Sequence, residues 1–175
     1  MLIGFKGAGK TTVGPLLAAR LGLPFDDLDR RIEAAARERV GEGLGFREAY
    51  RRLGAEGFRE LERELLAEAL AGEEMVLALG GGAPLGAGAS LEGHCVVYLR
   101  VPADDLVRRV RAGGWPAYLD GEPDKEAALR RLLAERLPRY EGLAGVAVEN
   151  PDGTAPAEAA AQAERGVRGW RDRRR

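Results

Sequence analysis

The chain has 175 residues, 31% of them charged, and a formal net charge of −1, which is most simply one domain spanning 1–175 with a core of useful size. The near-neutral balance excludes a global field for nucleic acid or an anionic membrane, and no apolar run reaches the roughly 20 residues of a membrane span. No secretory signal precedes Gly4 and Cys95 is the only cysteine, so a soluble cytoplasmic protein without disulfides or zinc spacing is expected.

Taken in chain order, apolar runs at 1–5, 23–26, 75–79, 95–101 and 144–149 predict strands. Helix-like stretches cover 10–21, 28–39, 46–53, 57–71, 103–112 and 124–137, with a last one near 156–169. This alternation predicts an α/β fold, a parallel sheet with helices on both faces. Runs such as MVLAL and CVVYL lack polar alternation, as strands covered on both sides do. Cys95 and its neighbour His94 read as structural residues of such a run. The stretch 113–124, GGWPAYLDGEPD, is rich in Gly, Pro and Asp and predicts an exposed loop. The basic C-terminus, RGWRDRRR, reads as a solvated tail.

The first predicted helix opens with GFKGAGKT, Gly4–Thr11, which fits G-x-x-x-x-G-K-[ST] after a strand. Gly7, Ala8 and Gly9 let backbone N–H groups converge on phosphate oxygens, and the helix N-terminus adds partial positive charge. Lys10 reaches the β- and γ-phosphates, and Thr11 offers its hydroxyl to Mg²⁺, with Thr12 in the same turn. The glycines do not fall as G-x-G-x-x-G, which excludes a dinucleotide loop. No N-K-x-D base-reading motif occurs, so a small-molecule kinase using ATP is favoured over a GTPase.

FDDLD follows the second strand and places Asp27 and Asp29 at its carboxyl end, where ligands of open sheets bind. One acid can serve a metal and the other a substrate hydroxyl; a helix cap is the alternative for Asp29. In GFRELERELLAEAL, Arg59 and Glu62 are spaced for a helical ion pair that is either solvated or turned onto an anionic substrate. In KEAALRRLLAERLPRY, Arg136 runs beside the leucine stripe towards a cleft, and Pro138 is expected to end the helix. A cation near a helix C-terminus is favourable in itself. LALGGGAP, 77–84, ends a strand in Gly80, Gly81 and Gly82, an entropic cost that implies a close approach to their backbone.

Together the P-loop, D-x-D at Asp27/Asp29, F-R-x-x-E at Phe58–Glu62, the strand ending in Gly80–Gly82 and R-x-P-x-Y at Arg136–Tyr140 resemble shikimate kinase over roughly residues 1–160. The resemblance implies a three-layer P-loop kinase of the nucleoside-monophosphate-kinase-like fold, with a five-stranded parallel sheet. It implies a lid at about 108–124 and a substrate-binding region at about 29–62. The implied reaction is Mg²⁺-dependent transfer of the ATP γ-phosphate to the 3-hydroxyl of shikimate, in aromatic amino-acid synthesis by a monomer. Arg59 and Arg136 would hold the carboxylate, Asp29 the ring hydroxyls and the acceptor proton, Asp27 and Thr11 the metal. The backbone of Gly80–Gly82 would touch the ring.

Four departures stand out. Trp115 occupies the position of the usual lid arginine, so Arg108, Arg109 or Arg111 is expected to supply its charge, with Arg109 also at the ATP. The 33–49 segment is longer than the family pattern and lacks G-x-S-I, Ala55 stands in place of a glutamate, and ENPDGTAP lacks an adenine-facing arginine. A kinase for a gluconate-like hydroxy acid and a catalytically weak ATP-binding relative are the competing readings.

Overall fold

The computed structural model describes residues 1–40, 46–86 and 91–175. Its strands fall within or beside the apolar runs: β1 Leu2–Ile3, β2 Phe25–Asp27, β3 Val76–Ala78, β4 Val97–Arg100 and β5 Val146–Glu149. They form one parallel sheet in the order β2-β3-β1-β4-β5. Leu2 pairs with Ala78 and with Val97, and Asp27 pairs with Ala78. The carboxyl ends of β1, β2 and β3 are therefore level at one edge, where the segments after them meet. Leu2, Ile3, Leu77, Ala78, Leu79, Val97, Tyr98 and Leu99 are each at most 2% exposed. Burial on both faces explains why these strands do not alternate.

The helices are α1 Lys10–Leu21, α2 Leu28–Val40, α3 Phe46–Ala71, α4 Ala83–Gly86, α5 Ala103–Ala112, α6 Lys125–Leu143 and α7 Pro156–Asp172. α1 packs on α7, and α4 and α5 pack on α6. α3 joins the two predicted stretches across a kink at Gly54 (φ 69°, ψ 173°), a left-handed backbone that suits glycine. Between α2 and α3, residues 41–45 of the 33–49 segment lie outside the described residues, as does the side chain of Ala55.

Three expectations are corrected. α6 continues through Pro138 to Leu143 instead of stopping before the proline. The missing N–H leaves the carbonyl of Ala134 without its helical partner, but Ala134 is exposed to water and Tyr140, beyond the proline, is fully buried. The 113–124 stretch is not uniformly exposed: it forms a 3₁₀ turn at Ala117–Leu119, with Leu119 buried and Trp115 packed partly against the core. His94 lies on an exposed turn because β4 starts only at Val97. Cys95 is half-buried, and burial pushes its thiol pKa up. Among the described residues no helix is long and apolar enough to cross a membrane.

Candidate active site

The loop after β1 turns on Gly7 (φ 86°) and Gly9 (φ 92°) and feeds directly into α1. Lys10 Nζ donates to the carbonyls of Gly4 at 2.8 Å and Phe5 at 3.1 Å, so it lies across the mouth of its own loop. Burial lowers the pKa of this ammonium, while the charges of Asp29 and Asp27 oppose the shift. The N–H of Ala8 donates to Phe5 O, and that of Thr12 to Gly9 O, both at 3.0 Å; the Thr12 side chain is exposed. Asn150, just after β5, donates through Nδ2 to Ala8 O at 2.9 Å. Arg109 of α5 donates to Gly7 O at 3.2 Å, Asn150 O at 2.9 Å and Asp152 Oδ1 at 2.7 Å. Arg108 is held by Asp105 and Asp152. Arg111 is exposed in the last turn of α5.

Only Asp27 of the two acids is in the strand; Asp29 sits in the first turn of α2. Asp27 Oδ1 accepts the backbone N–H of Asp29 at 3.0 Å, the N-cap geometry expected for a carboxylate before a helix. Its other oxygen, Oδ2, accepts the Thr11 hydroxyl at 3.4 Å. The capping role therefore falls to Asp27 and leaves the Asp29 carboxylate free to face the cleft. There, burial and then the neighbouring charge of Asp27 raise its pKa from 3.8 to about 6, partly countered by Lys10. Asp26, pointing the other way along the strand, pairs with Arg31 at 2.6 Å.

The three glycines lie against these side chains. A Cβ on Gly80 would collide with Asp29 Oδ1 and stand 3.2 Å from its Cγ. One on Gly82 would stand 2.7 Å from Arg59 Nη2. One on Gly81 would make ordinary contacts, 3.6 Å to Lys6 N and 3.7 Å to the Tyr140 hydroxyl. The space cleared at Gly80 and Gly82 is thus occupied by a carboxylate and a guanidinium. Arg59 is paired with Glu62, a carboxylate only 7% exposed. Arg136 lies 5.9 Å from the ring centroids of both Phe5, in the loop after β1, and Tyr118, in the 3₁₀ turn, a cation shared by two rings.

Sequence reasoning missed Asn150, Lys6, Tyr118 and the positioning role of Tyr140. For Asn150 the available signal is its place at the carboxyl end of β5. Tyr140 donates its hydroxyl to Gly81 O, and burial raises its phenol pKa to about 12. Tyr140→Phe should leave that carbonyl short of a partner, costing about 1–3 kcal/mol. In a chain of this length each kilocalorie moves Tm by about 2–4 °C. A thermal melt that does not move would show that the bond contributes nothing.

A phosphate-binding loop, a hydroxyl–carboxylate pair of which only the carboxylate is buried, and two arginines flanking a glycine run describe a kinase for a small acid, and comparison with known proteins narrows the acid. The family model for shikimate kinase matches residues 6–165. A shikimate kinase from Thermobifida fusca (strain YX) is 46% identical over 162 residues, covering 91% of this chain and 89% of the relative. The solved structure of a shikimate kinase from Acinetobacter baumannii in complex with shikimate superposes with a TM-score of 0.77 and 32% identity, covering 98% of this chain and 92% of that one. A gluconokinase from Sinorhizobium meliloti 1021, at TM-score 0.52 and 22% identity over 99% of this chain and 93% of its own, shares the fold alone. With the P-loop, both acids, the glycine run and both arginines at one sheet edge, the chain belongs to the shikimate kinase family of ATP-dependent kinases.

Proposed function

We propose that this chain transfers the γ-phosphoryl group of ATP to the 3-hydroxyl of shikimate, releasing ADP and shikimate 3-phosphate for aromatic amino-acid synthesis in the cytoplasm. The observation that carries the reading is the placement of Asp29 and Arg59 in the spaces that Cβ atoms of Gly80 and Gly82 would fill. Gly7, Ala8, Gly9, Lys10, Thr11 and Thr12 bind the phosphates of ATP, with Arg109 at the outer side of the loop. Arg59, steadied by Glu62, and Arg136 take the substrate carboxylate, whose planar fork two guanidinium groups match. Gly80–Gly82 form the floor under the ring.

Asp29 accepts the proton of the attacking hydroxyl. A base with a pKa near 6 is ionised at neutral pH yet takes a proton more readily than an ordinary carboxylate. The acceptor oxygen bonds to the γ-phosphorus as the bond to the β–γ bridging oxygen breaks, and ADP leaves with that electron pair. Of the α5 arginines, Arg111 is exposed in the last turn and Arg109 is held against the loop by Gly7 O, Asn150 O and Asp152, and both add positive charge to this side of the site. The residues present fit Mg²⁺: Thr11 Oγ1 and Asp27 Oδ2, 3.4 Å apart, are hard oxygen donors. When bound, the ion neutralises charge on the β- and γ-phosphates. In this reading the chain acts as a monomer.

The test is ADP release with ATP and Mg²⁺, with shikimate, gluconate or a nucleoside monophosphate as acceptor. Turnover stimulated by shikimate alone is expected. ATP binding without it would make the chain a catalytically weak relative.

A further inference from the structure

The lid position where the resemblance expects an arginine is Trp115, half-buried against the core and uncharged. Phosphoryl transfer spreads negative charge over three equatorial oxygens, and a cation there contributes strongly to the rate. Two of the three nearby arginines are already engaged: Arg108 by Asp105 and Asp152, Arg109 by Asp152 and two loop carbonyls. A different cation joins the relevant parts. Lys6 lies inside the P-loop, between Gly4 and Gly7, and its side chain is exposed. Its backbone nitrogen packs against Gly81, the centre of the acceptor floor, 3.6 Å from where a Cβ would be. Its Nζ donates to Gly114 O, one residue before Trp115, at 3.4 Å. One residue thus touches the phosphate loop, the glycine run and the lid.

Resting on the kinase reading above, we infer that Lys6 is a second catalytic cation, carried by the P-loop, that contacts the transferring phosphoryl group in place of a lid arginine. The long hydrogen bond it makes to a neutral carbonyl, its one such bond among the described residues, is readily exchanged for a charged phosphate oxygen, since charge-assisted bonds are roughly twice as strong. The hydroxyl proton goes to Asp29, and the electron pair of the broken bond leaves with ADP. The same exchange frees Gly114 O from Lys6 as the γ-phosphate arrives.

The test compares Lys6→Met, Lys6→Arg and Arg111→Ala with the parent chain. For Lys6→Met we expect kcat to fall by about 10²–10³, with KM for ATP and shikimate within about threefold and Tm unchanged. Lys6→Arg should retain most of kcat. Affinity for ADP with aluminium fluoride and shikimate, which mimics the flying phosphoryl group, should drop in Lys6→Met by a similar factor while ADP alone binds as before. A kcat within threefold of the parent, a loss confined to KM, or a large loss in Arg111→Ala with none in Lys6→Met would overturn the inference. Absence of shikimate-dependent turnover in the parent chain would instead overturn the proposed function, so the two failures are distinct.

Discussion

Asp29→Asn should lower kcat for shikimate phosphorylation by about 10³, within the range that general base catalysis supplies. The amide keeps the shape of the carboxylate beside Gly80 but cannot take the hydroxyl proton. The parent enzyme should show the complementary signature. Because the carboxyl pKa is raised to about 6, kcat/KM should climb with pH through about 6 and level off above it. The residual activity of the variant should lack that limb. A rise centred near 4 instead would mean that the base is an ordinary solvated carboxylate.

The same shift carries a stability consequence. The folded state holds the Asp29 proton more tightly than the unfolded chain, with a pKa of about 6 against 3.8. Its contribution to stability is therefore present in full below about 4 and is lost as pH rises through about 6. At pH 7 the charged side chain costs stability, so Asp29→Asn should melt above the parent while being nearly inactive. That combination separates a functional loss from a folding defect, and it follows the usual trade between a strained site and a stable fold.

The parts of this molecule that were legible in the sequence are those written in contiguous residues. GFKGAGKT carries its whole geometry locally, and unbroken apolar runs such as MVLAL identify strands buried on both faces. What could not be read depends on segments distant in the chain. Asn150 reaches Ala8 across 142 positions and Lys6 reaches Gly114 across 108. The spacing of Asp27 and Asp29 suggested a shared strand end, but the N–H of Asp29 bonds to Asp27 and draws the helix start forward. Pro138 misled for the opposite reason. A local breaker signal was overridden by the burial of Tyr140, whose hydroxyl holds the glycine run.

Gly80→Ala should cost about 10² or more in kcat while leaving the fold intact. The added methyl would occupy the space of the Asp29 carboxylate, the movable end of a side chain, so the backbone need not shift. Displacing a catalytic group by about 1 Å is enough for a loss of that size. The neighbouring substitutions should fail differently. Gly82→Ala presses on the Arg59 guanidinium at 2.7 Å and should act mainly on KM for shikimate. Gly81→Ala meets only ordinary contacts within the protein, so any loss there reports the substrate ring itself. Kinetics of the three variants with parallel melts would therefore separate base, carboxylate clamp and floor. If all three instead melted early with kcat per folded molecule unchanged, the glycines would serve the fold and not the reaction. The stretch would then be three glycines long because of packing. Three distinct kinetic signatures would mean that each glycine is there for a different part of the chemistry.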